Sequence, residues 1–226
     1  MIKTINRQSS SKRPANLVPN VVEQRRSPEE TRARILEVAW DLIRELGARA
    51  TIADVADRLG MSSANVYRFY PSKQALSEAV ASSQLGAIIA EGRRIASGPG
   101  SASERFGAVL LMMHHCMRDQ MVNQSRVHEI CEIAMSERWP AIETFKQDCC
   151  AIIAPLVAEG QARGEFGPGD PQYLAAQTLS ACACIHHPKL IAQFGDSPTS
   201  LPPEAVVEFA LRALTHPGPF PPNAGA

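Results

Sequence analysis

Residues 51–70, TIADVADRLGMSSANVYRFY, read as two short helices joined by a tight turn. Thr51 stands at an N-cap position, where its hydroxyl can accept a backbone N–H of the first helical turn. Ile52, Val55, Ala56 and Leu59 recur at helical spacing and form one stripe to bury. Ala56 is small at the point where a second helix must cross closely. Gly60 can take the positive φ that ends the first helix. Ser62 or Ser63 can cap the second helix, and Val66 with Phe69 or Tyr70 can pack it down. Ser63, Ala64, Asn65, Tyr67 and Arg68 then remain to face outward. Small, amide, phenol and guanidinium groups on one exposed face suit the major groove of DNA and its phosphates. The small residue, the glycine and both caps agree in register. That agreement separates a helix-turn-helix from two ordinary amphipathic helices.

The rest of the composition points the same way. The chain has 226 residues, enough for one large domain or two small ones, and 45% of them are hydrophobic. Aromatic residues make up only 5%, and no segment offers a clean alternation of β-branched residues. Ala, Leu, Glu, Arg and Gln dominate the periodic stretches, so the expected class is all-α, with about nine helices. No apolar run approaches the ~18 residues of a membrane span, and MIKTINRQSSSKRPANL lacks the apolar core of a secretory signal. A cytoplasmic protein without a membrane partner is expected. The six cysteines then read as reduced thiols in small core gaps. The net charge is 0 but is polarised along the chain. Residues 1–27 hold six basic groups against one acid (net +5), and residues 28–73 hold seven of each. Residues 74–226 hold ten basic groups against fifteen acids (net −5). The positive end lies beside the helix-turn-helix, which favours docking on phosphate by one end only.

Four segments follow. Residues 1–27 are expected to form a disordered basic arm, either a DNA-contacting arm or a plain tail. Residues 28–75 form the DNA-binding unit, which a fourth helix extends to about residue 96. Within it, Ser27 caps the first helix, Pro28 fits its first turn, and Glu30 occupies the capping-box position. Gly47 closes that helix. Ser72 caps the fourth, and Lys73 in its first turn opposes the helix dipole unless a phosphate sits there. SGPGSAS, residues 97–103, separates this unit from residues 97–215, a helical effector-binding and dimerisation domain. Its helices are expected at about 103–121, 124–137, 140–163 with a kink at Pro155, 171–185, and from 202 onward. Residues 216–226 are Pro- and Gly-rich and expected to be disordered.

From Tyr173 to Ile185 there is no charged residue. A helix that is apolar or small all round must be covered on more than one side. A second copy of the chain can cover it, so the eighth and ninth helices are expected to form a four-helix dimer interface. Two half-sites about one helical turn apart on DNA need two reading heads.

The C-terminal part also gathers soft and titratable groups. His128 and Cys131 lie three apart on one helix, and Cys182 and His186 four apart on another. Residues at such spacing share a helical face and could bind a thiophilic metal, so a metal-binding or metal-sensing protein is the alternative reading. The competing reading is an effector pocket lined by Met113, His114, Met117, Met121, Trp139 and Cys182, and suited to a small, mostly apolar molecule. Ordinary core packing competes with both. There is no Gly-rich phosphate loop, no GxSxG elbow and no convincing carboxylate pair, so neither an enzyme nor a cofactor is expected.

The segment from Thr31 through Leu76 resembles the DNA-binding domain of tetracycline-repressor-like (TetR-family) regulators. The similarity lies in ILEVAWDLIRELG, then TIADVADRLGMS, then NVYRFYPSKQAL, where a Tyr, a further aromatic, Ser-Lys and Leu close the domain. Tyr70 stands where that family usually has Phe, and its ring can still pack. Beyond this, only the helix order and the WP and RGEF segments are similar. The resemblance implies a homodimeric transcription regulator, most often a repressor, released from a palindromic operator when a ligand fills a C-terminal cavity. It implies Thr51, Tyr67 and Lys73 at phosphates, and Ser63, Ala64, Asn65 and Arg68 near bases. With Ser62 and Tyr70 beside them, these residues form the candidate DNA-contacting set.

Overall fold

A computed structural model describes residues 27–195, 197 and 200–216. The arm expected over 1–27 and the tail expected over 216–226 lie, but for Ser27 and His216, outside the described residues. All regular structure among the described residues is helical, in eleven α-helices. The head comprises α1 (Pro28–Leu46), a 3₁₀ turn (Gly47–Arg49), α2 (Ile52–Leu59) and α3 (Ser63–Phe69). The long α4 (Lys73–Ala96) leads from the head into the body. The body then runs through α5 (Ala102–Cys116), a π-helical turn (Met117–Val122), α6 (Ser125–Ser136) and α7 (Pro140–Ala162). It ends with α8 (Pro171–Ala181), α9 (Ala183–His186), α10 (Pro188–Phe194) and α11 (Pro203–Thr215).

The local signals act where they were read. Ser27 and Glu30 form a reciprocal capping box at α1, with Ser27 N–H to the Glu30 carboxylate at 2.8 Å and Glu30 N–H to Ser27 Oγ at 3.1 Å. Ser72 Oγ accepts the Ala75 N–H at 3.0 Å and starts α4. Pro155 lies inside α7, which continues past it as one helix with the proline exposed. One core cluster runs without interruption from Ile35 in α1 to Leu214 in α11. α4 packs on α1, α5 and α7, so the same helix belongs to the cores of head and body.

Two departures from the expected helices have different origins. The expected helix over 171–185 is broken at Cys182 into α8 and α9, and Pro188 then opens α10. The His186 ring donates Nε2–H to the Leu179 carbonyl at 2.7 Å. A continuing helix would have offered that carbonyl to the Ala183 N–H. The expected helix over 103–121 turns π-helical at Met117, where Asn123 N–H reaches back five residues to the Arg118 carbonyl at 2.8 Å.

The body is closed by a polar clamp with no local sequence signature. Arg105, only 9% exposed, donates to Glu159 at 2.5 Å, to the Ala96 carbonyl at 2.6 Å and to the Ser101 carbonyl at 3.3 Å. It thereby joins α5, α7 and the end of α4. Glu165 caps α5 by accepting the N–H groups of Ala102 and Ser103 at 3.2 and 2.8 Å. The Ser103 N–H bond is the main cause that holds its carboxyl below the usual range. Beside it, Phe166 folds back over α7 and meets Phe106 edge-on, with ring centroids 5.9 Å apart. A Cβ on Gly160 would stand 2.2 Å from the Phe166 ring. Gly160→Ala is therefore expected to destabilise the protein by about 1–3 kcal/mol through overpacking. Urea unfolding of the variant against the wild type checks this.

Candidate nucleic-acid interface and effector cleft

The head is built to hold α3 rigidly. Thr51 caps α2 reciprocally with Asp54: Asp54 N–H reaches Thr51 Oγ1 at 3.2 Å, and Thr51 N–H reaches the Asp54 carboxylate at 2.9 Å. The Thr51 hydroxyl also donates to that carboxylate at 2.6 Å and is the main cause that keeps Asp54 below its ordinary pKa. Gly60 takes φ 66° and ψ 33°, the left-handed conformation that closes α2. Met61 N–H returns to the Ala56 carbonyl at 3.0 Å, and Ser62 then caps α3 through the Asn65 N–H at 3.3 Å. Val66, fully buried, pins α3 to Val55 and Ala56 within the core.

What is left facing out is narrower than the sequence suggested. Tyr67 is 50% exposed, and Ala64, Arg68 and Ser62 are exposed with it. Ser63 and Asn65 are half-buried, and the Asn65 amide lies 4.0 Å from Met61 Sδ. Tyr70, expected among the DNA contacts, is only 5% exposed. Its ring packs in the core because α3 ends at Phe69 and the extended Tyr70 turns inward. Burial pushes its phenol pKa up. Thr51 and Lys73 are exposed but already engaged. The Thr51 hydroxyl serves the cap, and Lys73 Nζ donates to the Ala48 carbonyl, tying the start of α4 to the 3₁₀ turn after α1. Two residues outside the expected set position the interface. Arg32 lies over the Phe69 and Tyr70 rings at 5.6 and 5.4 Å, and its guanidinium is 3.5 Å from the Phe69 carbonyl. Arg58 makes two 2.8 Å bonds to Glu45 and fastens α2 to α1. Neither has a local signal, because each pairs a helix with a distant one.

The head meets the body at the end of α1. A Cβ on Gly47 would stand 3.1 Å from Glu129 Oε2 and 3.3 Å from Arg126 Cβ, so α6 sits directly against the helix end. Arg44 Nε donates to Gln124 Oε1 at 3.0 Å across the same joint. Immediately behind it lies a cleft of about 570 Å³. Trp40 and Ile43 of α1 form one wall, and Val80 and Leu85 of α4 another. Met117 and Met121 of the π-helical turn, Val127 and Cys131 of α6, and Phe145 of α7 complete the apolar surface. Ser77 and Gln84 of α4, with Arg138, Glu143, Lys146 and the ring residues His186 and His187, supply its polar part.

Of the pocket residues expected from the sequence, only Met117 and Met121 line this cleft. Met113 of α5 is buried in the core. His114, also buried, donates Nδ1–H to the Ile185 carbonyl at 2.7 Å, and the buried Trp139 donates Nε1–H to Glu137 at 2.8 Å. Cys182 is buried at the break between α8 and α9. Helical periodicity marks which residues are buried, but not which of the buried faces leaves a space. The metal reading gains no support from the geometry. Among the described residues, no three His, Cys, Asp or Glu side chains gather to hold an ion. Burial pushes the thiols of Cys131 and Cys182 up to about 11, which keeps both protonated near neutrality. Among the described residues, no helix is long and apolar enough to cross a membrane.

Known proteins share this arrangement. Residues 35–80 match the family of bacterial regulatory proteins described as the tetR family. Residues 102–207 match the tetracyclin repressor-like C-terminal domain. An uncharacterised helix-turn-helix transcriptional regulator of Mycobacterium bovis is 25% identical over 152 residues, 66% of this chain and 77% of its own. A TetR/AcrR-family regulator from Thermobifida fusca is 26% identical with a TM-score of 0.61, covering 82% of this chain and 97% of its own. A transcriptional regulator from Cytophaga hutchinsonii, 21% identical, superposes with a TM-score of 0.65 over 80% of this chain and 96% of its own. With the reading head matched by one half of the family pattern and the helical body by the other, this chain belongs to the TetR family of DNA-binding transcriptional regulators.

Proposed function

We propose that this regulator is a homodimeric, ligand-released repressor. Two α3 helices read a palindromic operator, and a small molecule entering the cleft shifts the heads to a spacing that the operator does not accept. The observation that carries this reading is the shared wall. Trp40 and Ile43, which line the cleft, lie on the same helix and within two turns of Gly47, where the head rests on α6. Arg58–Glu45 fixes α2 to that helix, Lys73–Ala48 ties the start of α4 to the turn that follows it, and α3 packs on α2. A ligand that favours one position of α1 therefore favours one position of α3, and the coupling is reciprocal.

On the DNA side, Tyr67 and Arg68 are the principal contacts in this reading, with Ala64 close to the bases and Ser62 and Lys73 at phosphates. Lys73 has three donors, so its bond to Ala48 leaves others for a phosphate. Thr51 serves the fold through its cap. For the dimer, α8 and α11 pack side by side. They leave Ala176, Ser180 and Ala181 exposed on one and Phe209 on the other, the phenyl ring being 68% exposed. Small residues that admit a close helix, beside a large unpartnered ring, suit the same surface of a second copy.

Three results are expected. Tyr67→Ala and Arg68→Ala each weaken operator binding about tenfold or more without lowering thermal stability. This is checked by fluorescence anisotropy on an operator obtained by site selection, and unchanged affinity in both would remove α3 as the reading element. Phe209→Glu gives a monomer in light scattering at concentrations where the wild type is a dimer. A monomeric wild type would overturn the interface. Ala81→Trp fills the cleft from its α4 wall and weakens operator affinity by about fivefold or more, the lower range of allosteric couplings. An operator affinity equal to the wild type would show that the cleft does not communicate with the head.

A further inference from the structure

The cleft behind α1 is largely apolar but unbalanced in charge. Trp40, Met117, Met121 and Phe145 are among its apolar lining. The same lining holds two permanent cations, Arg138 and Lys146, and the imidazole of His187, against one carboxylate, Glu143. That carboxylate is already paired with Lys146 at 2.8 Å. The His186 ring is held by the Leu179 carbonyl. Two groups are left without a partner among the described residues. Arg138 makes no ion pair there, and its backbone stands at φ 52°, a conformation that non-glycine residues rarely adopt. That conformation closes α6: Arg138 N–H returns to the Met135 carbonyl at 3.3 Å and Trp139 N–H to the Ala134 carbonyl at 2.9 Å, which leaves Arg138 exposed on the cleft lining. His187 Nδ1 is buried with no hydrogen-bond partner. A buried orphan of this kind is uncommon and costs stability unless something else satisfies it.

We infer that the cleft takes an amphipathic monocarboxylate, its acid group held between Arg138 and His187 and its apolar body among Trp40, Met117, Met121 and Phe145. This corrects the mostly apolar effector expected from the sequence, and it rests on the proposal that the cleft is the effector site. A guanidinium offers a carboxylate two parallel N–H donors, and the imidazole Nδ1–H supplies a third. The four apolar side chains include two methionines, which adapt to an unbranched or aromatic body alike. A cationic ligand would face Arg138 and Lys146 with only the already paired Glu143 to receive it. A neutral one would leave Arg138 and His187 as they are. At roughly 30 Å³ per non-hydrogen atom, the share of a water molecule in the liquid, the cleft has room for roughly twenty such atoms.

Decanoate, decan-1-ol and decylamine fall within that size and differ only in the head group. Calorimetric titration of the full-length protein with each is the test. Trp40 emission is read in parallel in Trp139→Phe, where Trp40 is the one indole left of the two in the chain. Decanoate is expected to bind and shift Trp40 emission, with decanol about tenfold weaker or worse and decylamine undetected. Arg138→Gln is expected to weaken decanoate about tenfold and leave decanol unchanged, with an unaltered melting temperature. Lys146→Gln, whose ammonium already has Glu143, is expected to cost less. Decanol or decylamine binding as tightly as decanoate, or Arg138→Gln leaving decanoate unchanged, overturns the monocarboxylate. No binding by any of the three overturns it too. If Ala81→Trp still weakens the operator complex in that case, the effector site survives with a different ligand. If it does not, both readings fall together.

Discussion

The end of α1 and the start of α6 lie so close that a methyl group between them would push its neighbours back by a few tenths of an ångström. Gly47 has Glu129 and Arg126 of α6 at 3.1 and 3.3 Å from where its Cβ would be. Everything that the head and the body can say to each other passes through this joint and through α4. A contact this tight does not deform gradually, because packed helices have discrete arrangements rather than a continuum. The head in turn follows α1, since α2 is fastened to it by Arg58–Glu45 and the start of α4 to the turn at its end by Lys73–Ala48. The reading helix has no independent freedom: Val66 holds its middle, and Arg32 lies over the aromatic pair at its end.

The cleft gains its meaning from where it lies. Trp40, Ile43 and Gly47 fall on one face of α1 at a helical spacing, so the cleft wall and the joint are consecutive stretches of a single rigid surface. Opposite them, the chain departs from α-helical geometry. The π-helical turn places Met117 and Met121 on the cleft and then delivers Gln124 to Arg44 at the joint. Such turns are less regular than the helices they join and recur at functional sites. The two ends of the joint, α1 and the approach to α6, therefore both border the cavity. By contrast, the far side of the body is fixed by Arg105, Glu159 and Glu165, whose bonds hold α5 and α7 together away from the cleft.

The polar groups of the cleft also show why composition can mislead about a binding site. The chain is electrically neutral, and its body is acidic. Yet the cleft behind α1 carries Arg138 and Lys146 against a single, already paired acid. What a pocket offers depends on which few side chains converge there and whether they have partners, not on the balance of the surrounding surface.

The head was legible from residues 27–73 almost entirely, because its signals are local. A capping box, a left-handed glycine and a serine cap each act within four residues, and an alternating helical stripe with Val66 at its centre specifies what must be buried. The family pattern was legible for the same reason. Tyr70 is the exception in that stretch: Tyr67 and Arg68 just before it and Pro71 after it are exposed, and only the inward turn after α3 decides that it belongs to the core. In the body, periodicity found the helices but not their interruptions, since the break at Cys182 follows from where the His186 ring lands. It also found buried Met113, His114, Trp139 and Cys182 without revealing that they fill the core, while Trp40, Phe145 and Arg138 border a space. The sequence alone determined where the helices run in outline, which are capped and which residues must leave water. Tertiary structure decided which buried surfaces meet and which leave a cavity, because a void is a relation among several helices that no single helix encodes.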